Sequence, residues 1–381
     1  MTATCAARTA TRTRPALTTE LVTDETAFAR LGPAWDRLHA RCARATPFQS
    51  HAWLHSWWLS YGRPGRLRLL LVRSDGELVA VAPLMLAHRP LPALVPLGGA
   101  ISDYTDLLLD DADDGRAARA LADALADTAR GALIDLREVR PGGAAERVYD
   151  RWRGPRRDIP DSVCLELPAA PMDELVSRLP SAKAQQRARA KLRKLTALGV
   201  ERRAVPASEA GAAVDRLLEL HRLQWQGRKV TSEHLTARFR AHLVRAAGPM
   251  VRAGNAVVTE FRMDGEVVAV DLTLLSAQLA GGYLYGAHPD LRRRKADVAV
   301  MLLDACAEHA VRAGAGGRGT LSLLRGDEPY KRHWRPEAVA NRRLLLARRR
   351  TAPLLTAALC DAAARQRGRE VLRRWRERDR D

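Results

Sequence analysis

The spacing of apolar residues along this chain of 381 residues predicts alternating helices and strands. In its first part, apolar residues recur every three or four positions from Val22 to Cys42 and from His51 to Tyr61, which predicts helices. Leu67 to Val72 and Leu78 to Leu86 are apolar runs joined through Asp75-Gly76, a dipeptide typical of tight hairpins. Three further elements are predicted there: strand structure within Val95 to Asp110, a helix from Arg116 to Arg130, and a strand from Leu133 to Val139.

The same order of elements returns after residue 170. A second Asp-Gly pair, Asp264-Gly265, joins two apolar runs and predicts a second hairpin. The predicted elements of this part are a helix from Asp173 to Leu198 interrupted at Pro180, a strand from Val200 to Val205, helices Glu209 to Gln226 and Phe239 to Ala247, hairpin strands Ala256 to Met263 and Glu266 to Leu275, a strand from Gly281 to Ala287, a helix from Asp297 to Ala313, and strands Thr320 to Leu324 and Arg342 to Leu346.

These patterns divide the chain into four predicted regions. Residues 1–16 are Thr, Ala and Arg without periodicity, which predicts a disordered leader. Residues 17–170 and 171–350, called the N-terminal and C-terminal halves below, are predicted to be two copies of one unit. Residues 351–381 are predicted to form an Arg-rich C-terminal helix. The predicted fold class is α/β, with mixed, mostly antiparallel sheets flanked by helices.

The charge balance adds an expectation about partners. Lys and Arg outnumber Asp and Glu by 63 to 44, a net charge of +19, and the sequence pI is about 10.7. Such an excess favours phosphate-bearing or other acidic partners. The apolar fraction of 46% is ordinary for a folded protein, so the excess of charge does not predict disorder.

Cysteine spacing and the absence of certain motifs exclude several classes of protein. The five cysteines lie far apart, so neither a disulfide framework nor a metal site is predicted. The N-terminus lacks the apolar segment of a signal peptide, and no stretch is apolar enough to span a membrane, which predicts a cytoplasmic protein without membrane insertion. Nucleophile-elbow, Walker and Rossmann motifs are absent, which favours direct group transfer without a covalent enzyme intermediate.

Three stretches resemble a known family. They are Thr46 to Leu54 with Trp57-Trp58, Ser102 to Leu108 and, most specifically, Leu324-Arg325-Gly326-Asp327-Glu328-Pro329-Tyr330-Lys331-Arg332-His333-Trp334. Together they resemble the GNAT-related acyltransferases of the cellulose-biosynthesis type. Those proteins are similar in turn to the Fem family, which transfers an amino acid from aminoacyl-tRNA to an amine.

The resemblance implies two tandem GNAT folds, of which only the C-terminal copy carries the full active-site cleft. The acyl donor is expected to enter where the strand at Tyr283 to Ala287 separates from the strand at Thr320 to Leu324. In ordinary GNAT enzymes a glycine-containing loop after the first of these strands binds the pyrophosphate of coenzyme A. Here the corresponding loop holds four cations and no glycine: Arg292, Arg293, Arg294 and Lys295.

This cationic run has two interpretations. Because it lies between a strand and a helix, we expect it to bind the phosphates of the donor; the alternative is a solvated charge run. Asp297 is expected to cap the helix that follows. Since the glycines are missing, the donor stays open among acyl-CoA, a phosphopantetheinyl thioester on an acyl carrier protein, and tRNA.

Five side chains are candidates for the chemistry. Asp271 lies in the middle of an apolar strand, where a carboxylate is costly unless it is paired or faces a cleft. Tyr285 and His288 end the strand expected to line the donor cleft, and either is a candidate to move a proton. Glu328 and Lys331 follow the next strand, where they suit binding an amine and stabilising an oxyanion; a salt-bridged loop is the alternative. In the Fem family a lysine after an aromatic residue helps to bind the donor or stabilise the transition state, and Lys331 occupies the matching position.

A basic helix forms the last candidate surface. Lys183, Arg187, Lys191 and Lys194 repeat at helical spacing, and six cations without an anion lie between Ser181 and Leu198. An acyl carrier protein or tRNA is the expected partner of this face, with an exposed amphipathic face as the alternative.

The sequence thus favours an N-acyltransferase that moves an acyl group from a thioester to an amine, which is a small molecule or a peptide. Two alternatives stay open. One is a Fem-like transferase that uses aminoacyl-tRNA, and the other is a non-catalytic nucleic-acid-binding or scaffold protein.

Overall fold

One large sheet forms the backbone of the fold. The computed structural model describes residues 16–378, except 89, 225, 227–230, 315–318 and 327, so residues 1–15 of the predicted leader lie outside the described part. The strands are β1 (Leu17–Val22), β2 (Leu67–Ser74), β3 (Glu77–His88), β4 (Pro92–Pro96), β5 (Leu108–Leu109), β6 (Leu133–Val139), β7 (Arg156–Pro168), β8 (Glu201–Ala204), β9 (Ala256–Met263), β10 (Glu266–Leu275), β11 (Leu279–Ala287), β12 (Thr320–Arg325) and β13 (Glu337–Leu346).

Helices cover both faces of this sheet. They are α1 (Glu25–Arg30), α2 (Gly32–Ala40), α3 (His51–Tyr61), α4 (Arg116–Thr128), α5 (Ala144–Arg151), α6 (Met172–Ser177), α7 (Ala182–Ala197), α8 (Ala210–Gln224), α9 (Ala237–Arg252), α10 (Pro289–Arg293), α11 (Val298–Arg312), α12 (Pro329–Arg332) and α13 (Ala352–Arg378). The predicted mixed α/β class is therefore confirmed.

The two halves of the chain exchange their last strands. The order across the sheet is β1-β2-β3-β4-β6-β13-β7-β12-β11-β10-β9-β8, with β5 paired to β3 outside this path. Strand β7, which ends the N-terminal half, pairs with β12 and β13, whereas β13, from the C-terminal half, pairs with β6 and β7. The parallel pairs β4–β6 and β11–β12 occupy equivalent places in the two halves, and the other strand pairs are antiparallel.

Local sequence explains most of these elements. Both Asp-Gly pairs form tight turns in which Asp75, Gly76, Asp264 and Gly265 have positive φ, the conformation that hairpin turns of this kind require. Serine caps begin α3 and α7, since Ser50 Oγ accepts from Trp53 N and Ser181 Oγ accepts from Ala184 N.

Strand β7 was not predicted, although it is central in the sheet. Pro160 lacks the N–H that a central strand donates, so proline argues against a strand from sequence. The structure accommodates Pro160 opposite Arg342, where β13 shifts its register between Ala340 and Arg342. Strand β1 and helix α5 were also missed, because their short amphipathic patterns are no stronger than those of loops.

The aromatic helix α3 joins the two halves. Trp53 is fully buried, and its indole ring lies 4.5 Å from the imidazole of His242 on α9. Ser56 Oγ donates to the carbonyl of His242 at 2.8 Å. The aromatic residues of α3 therefore form core between the halves, as the sequence favoured.

Candidate active site

The site begins where β11 and β12 separate. These strands pair in parallel only from Leu279 to Gly281 and from Thr320 to Ser322. Leu324 has φ +59°, and its side chain lies over Gly281, where an added Cβ would be 2.8 Å from Leu324 Cδ2. A larger residue at position 281 would therefore collide with the side chain that lies in the opening between the strands.

A segment of the N-terminal half holds the separated strands in place. Tyr283 of β11 donates from its hydroxyl to the carbonyl of Ile101 at 2.8 Å. On the β12 side, Asp103 Oδ1 lies 2.9 Å from Arg325 Nε, and the Tyr104 and Ser322 hydroxyls are 2.8 Å apart. Residues 101–104 thus contact both strands at the opening, which explains why Ser102-Asp103-Tyr104 contributes to the site.

A cavity of about 1170 Å³ passes through the sheet at this opening. Val270 and Leu272 pack with Leu217 of α8, so Asp271, between them, points to the opposite face, toward α11. The lining on the α11 side includes Asp271, Leu302 and Cys306. The lining on the α3 and α8 side includes Trp57, Tyr61 and His221. Two substrates can therefore approach the opening from opposite faces of the sheet.

Asp271 is the buried carboxyl of this cavity. It is 3% exposed, and Oδ2 accepts a hydrogen bond of 2.6 Å from Thr273 Oγ1. No described cation forms an ion pair with it, and burial raises the pKa of Asp271 to about 7. Gly282 keeps the space above it open, since an added Cβ there would lie 3.9 Å from Oδ1. A carboxyl in this state exchanges a proton near neutral pH.

Glu328 and Lys331 form a pair at the same cavity. Lys331 Nζ lies 2.8 Å from Glu328 Oε2 and donates to the carbonyl of Arg325 at 2.8 Å. The lysine is 7% exposed, whereas the Glu328 side chain is 51% exposed. Gly326, at φ +107°, leaves room for the carboxylate, since a Cβ there would meet Glu328 Oε1 at 2.6 Å. Two of the three ammonium donors are used, which leaves one for a ligand. Asp327 lies outside the described residues.

The two other candidates, Tyr285 and His288, lie in different places in the structure. Tyr285 lines the cavity, and its hydroxyl accepts a hydrogen bond of 3.0 Å from Gln224 Nε2. His288 is not among the lining residues; it precedes α10, where its Nδ1 accepts from Asp290 N at 3.3 Å. The structure therefore brings Asp271, Tyr285, Glu328 and Lys331 to one cavity and leaves His288 at a helix start.

The four consecutive cations are also away from the cavity. Arg293 forms an ion pair with Asp290, and Arg294 NH2 lies 3.1 Å from Asp264 Oδ2. None of Arg292, Arg293, Arg294 and Lys295 is among the described residues that line the cavity. They belong to α10 and the turn after it, and Lys295 has φ +56°.

The start of α11 carries its own carboxylate. Asp297 caps the helix, as expected, because its Oδ1 accepts from Val300 N at 3.0 Å. Its Oδ2 lies 2.7 Å from Lys191 Nζ on α7. A helix N-terminus attracts anions through free N–H groups and the helix dipole. Here a carboxylate already occupies that position, so these residues do not form the glycine-lined cradle that binds a pyrophosphate.

Sequence reasoning missed the wall of the cavity opposite Asp271. Tyr61 donates from its hydroxyl to Glu233 Oε1 at 2.8 Å, and Arg238 Nε donates to the same oxygen at 2.9 Å. Hydrogen bonds from Arg238 and Tyr61 lower the pKa of Glu233 to about 2. Burial lowers the pKa of His234 to about 4. These residues come from α3, from the connection between α8 and α9, and from the first turn of α9, and no motif in the sequence links those places.

Two features of other protein classes are absent from the described residues. No group of three or more His, Cys, Asp or Glu side chains there is arranged to bind a metal ion. No helix in the described part of the chain is long and apolar enough to cross a bilayer.

Comparisons with known proteins agree with this geometry. Residues 182–332 match the sequence model of a family described as "Acetyltransferase (GNAT) domain". No curated protein sequence matches the chain. Among solved structures, FemX is 12% identical, with 85% of this chain and 98% of that chain covered and a TM-score of 0.57.

Two further structures show the same likeness. The C-terminal domain of a putative lysylphosphatidylglycerol synthetase from Agrobacterium fabrum is 13% identical, with 88% of this chain and 96% of that chain covered and a TM-score of 0.54. L-PGS from Bacillus licheniformis is 11% identical, with 87% and 96% covered and a TM-score of 0.51. At these identities the likeness concerns the fold. The chain therefore has a GNAT-like fold, and the region that matches the GNAT family model includes Asp271, the separated strands and Lys331.

Proposed function

We propose that this protein is an N-acyltransferase that moves an acyl group from a thioester to an amine. The observation that carries the proposal is Asp271, a buried carboxyl without a described cationic partner at the opening between β11 and β12. A pKa of about 7 matches the work of a general base at neutral pH. Glu328 is held by Lys331 and is half exposed, so Asp271 is the better base of the two.

Each reactive atom has a candidate partner in the cavity. Asp271 takes one proton from the substrate ammonium, and the neutral nitrogen attacks the thioester carbonyl. The remaining N–H of Lys331 stabilises the oxyanion as the C–N bond forms. The C–S bond then breaks, and a second proton of the nitrogen passes to the departing thiolate, with the Tyr285 hydroxyl as the candidate relay. Because β11 and β12 hold both substrates at one opening, positioning contributes much of the rate.

The phosphate part of the donor is expected to extend beyond the cavity, toward the start of α11. Since Asp297 occupies the start of α11, a donor phosphate in this region would contact Arg292 and Lys295, which have no carboxylate partner within the described part of the chain. This arrangement suits one phosphodiester, as in a phosphopantetheinyl thioester, better than a pyrophosphate. The acyl carrier protein and acyl-CoA are therefore separate arms of the test.

The test is a matrix of donors and amines. Acyl-CoA, acyl-pantetheine and an acylated carrier protein are each offered with a panel of primary amines, and amide product is detected by mass spectrometry. We expect amide formation that disappears in Asp271→Asn, while the exposed variant Asp264→Asn stays active. Absence of amide with every donor, or full activity of Asp271→Asn, would contradict the proposal.

One observation favours aminoacyl-tRNA as a second candidate donor. Helix α7 carries Lys183, Arg187, Arg189 and Arg193 on its exposed surface, and these cations have no carboxylate partner among the described residues. The phosphates of tRNA would neutralise such a surface. Transfer of a labelled amino acid from aminoacyl-tRNA, lost when Lys183, Arg187 and Arg189 are changed to Glu, would favour this donor over a thioester.

A further inference from the structure

The proposed chemistry uses the α11 side of the cavity and leaves the opposite end without a role. That end is lined by residues of the N-terminal half, among them Trp57, Arg63, Arg66 and His88. They lie on the face of the sheet opposite Asp271, so an acceptor that enters the cavity from this face passes them before its amine reaches Asp271. Their charges therefore bear on which amines the cavity accepts.

A tight turn brings the two arginines together. Helix α3 ends before Gly62, and Arg63-Pro64-Gly65-Arg66 connects it to β2. Arg66 N donates to the carbonyl of Arg63 at 3.1 Å, and Gly65 has φ +75°. Proline at the second position and a glycine with positive φ at the third are the features of a type II turn, which brings its end residues within about 7 Å. The turn thus brings together the backbones of two arginines that both line the cavity.

These guanidinium groups have no anion to balance them. Arg63 has neither a hydrogen bond nor an ion pair through its side chain within the described residues. Arg66 NH1 lies 2.8 Å from His88 Nδ1, which is not an anion. A guanidinium has five N–H donors, so each of these two arginines has donors left for a ligand.

A carboxylate on the same side of the lining already has hydrogen-bond donors from its own neighbours. Glu233 lines the same side of the cavity, but it accepts from Tyr61, Thr236 and Arg238. Its charge is matched by Arg238, so it does not neutralise the turn. The α3 side of the cavity thus has excess positive charge, whereas Asp271 supplies a carboxyl at the other side.

We propose that Arg63 and Arg66 bind an anionic group of the acceptor, so that the substrate is an amine that also carries a carboxylate or a phosphate. The inference rests on the proposed function, because it assigns the amine end to Asp271. Guanidinium forks suit both anions, since each presents oxygens in pairs. The N-terminal half then selects the acceptor, and the C-terminal half carries out the transfer.

The experiment compares pairs of amines in which only one member carries an anionic group. 4-Aminobutyrate is paired with butylamine, and O-phosphoethanolamine with ethanolamine, using the acyl donor found active above. We expect KM to be tenfold to a hundredfold lower, about the size of one charge-assisted contact, for the anionic member of at least one pair. The pair that responds identifies the anion as carboxylate or phosphate.

Variants test whether Arg63 and Arg66 cause the preference for anionic amines. Arg63→Ala with Arg66→Ala should remove the preference by raising KM for the anionic amine while kcat and the KM for its neutral partner stay within about twofold. Arg68→Ala is the matched control, because Arg68 donates to the carbonyls of Gly65 and Leu67 and does not line the cavity. Equal KM values for anionic and neutral amines, or an equal effect of the double variant on both, would overturn the inference.

A binding measurement separates this inference from the proposed function. Calorimetric titration with O-phosphoethanolamine and with 4-aminobutyrate needs no turnover. Binding that is lost in the double variant but retained in Arg68→Ala supports the anion site even if no amide forms. If amide forms but neither compound binds more tightly than its neutral partner, the proposed function stands and the anion site is wrong.

Discussion

Asp103 and Arg325, which come from different halves of the chain, form an ion pair at the point where β11 and β12 separate, with Asp103 Oδ1 2.9 Å from Arg325 Nε. Arg325 also contacts Glu138 at 3.2 Å, and its carbonyl accepts from Lys331. The N-terminal half therefore fixes the position of the residue that holds the candidate oxyanion ligand. A half that lacks the candidate chemistry still shapes the site.

Changing Asp103 to Asn should weaken this junction. The neutral amide leaves the partly buried Arg325 with less compensation, and we expect a loss of about 2 kcal/mol in the free energy of unfolding. Urea denaturation measures it, with Glu209→Gln as control, because the Arg203–Glu209 pair is exposed to solvent and should contribute much less. Equal losses in both variants would show that the junction has no special role.

Asp271→Asn should change the pH dependence of the transfer. With a base of pKa about 7, the rate of the native protein should rise with pH up to about 7 and then level off. The amide cannot accept a proton, so the rate near pH 7 should fall by about 10² to 10⁴. The levelling near pH 7 should also disappear, because the remaining rate follows the fraction of substrate amine that is already neutral. Single-turnover rates between pH 5 and 9 measure this. An unchanged profile would exclude Asp271 as the base.

The same variant should be more stable than the native protein at high pH. The carboxyl holds its proton in the fold up to pH about 7 but releases it near pH 4 in the unfolded chain. The fold therefore binds more protons between these values, and the unfolding free energy falls as pH rises through them. Asp271→Asn should gain up to about 4 kcal/mol over the native protein between pH 4 and 8. A constant difference across this range would contradict the raised pKa.

Lys331→Met should lower turnover more than substrate affinity. Loss of one donor to a developing oxyanion costs about 10² to 10³ in kcat, with a smaller change in KM. Glu328 would lose its partner, but its exposed side chain remains solvated. Steady-state kinetics of Lys331→Met and of the native protein make the comparison. A rise in KM alone would assign Lys331 to binding.

His242→Phe should reduce the loss of unfolding free energy at acidic pH. Burial between the halves lowers the pKa of His242 to about 3, whereas the unfolded chain binds a proton near pH 6.5. The unfolding free energy is therefore lost as pH falls below 6.5, by about 1.4 kcal/mol per unit for this one group. Urea denaturation from pH 7 to 4 should show a smaller loss in His242→Phe. An equal loss in the native protein and in His242→Phe would contradict the lowered pKa of His242.

The sequence by itself determined the local elements and their repeated order. Asp75-Gly76 and Asp264-Gly265 specify turns through backbone conformations that few residue pairs adopt, and serine caps specify where α3 and α7 begin. Asp271 was identifiable because a carboxyl in an apolar strand is costly. These signals act over a few residues, so they can be read without the fold.

Tertiary structure alone decided which residues meet. The exchange of β7 and β13 depends on strand pairing between distant segments, and the register shift that admits Pro160 lies on the partner strand. Arg292 to Lys295 look like a phosphate-binding loop in sequence. In the structure, Arg293 pairs with Asp290, Arg294 pairs with Asp264, and Asp297 caps α11. The cavity wall from Arg63 to Arg238 joins segments far apart in the chain, because burial and charge pairing are settled only when the two halves pack together.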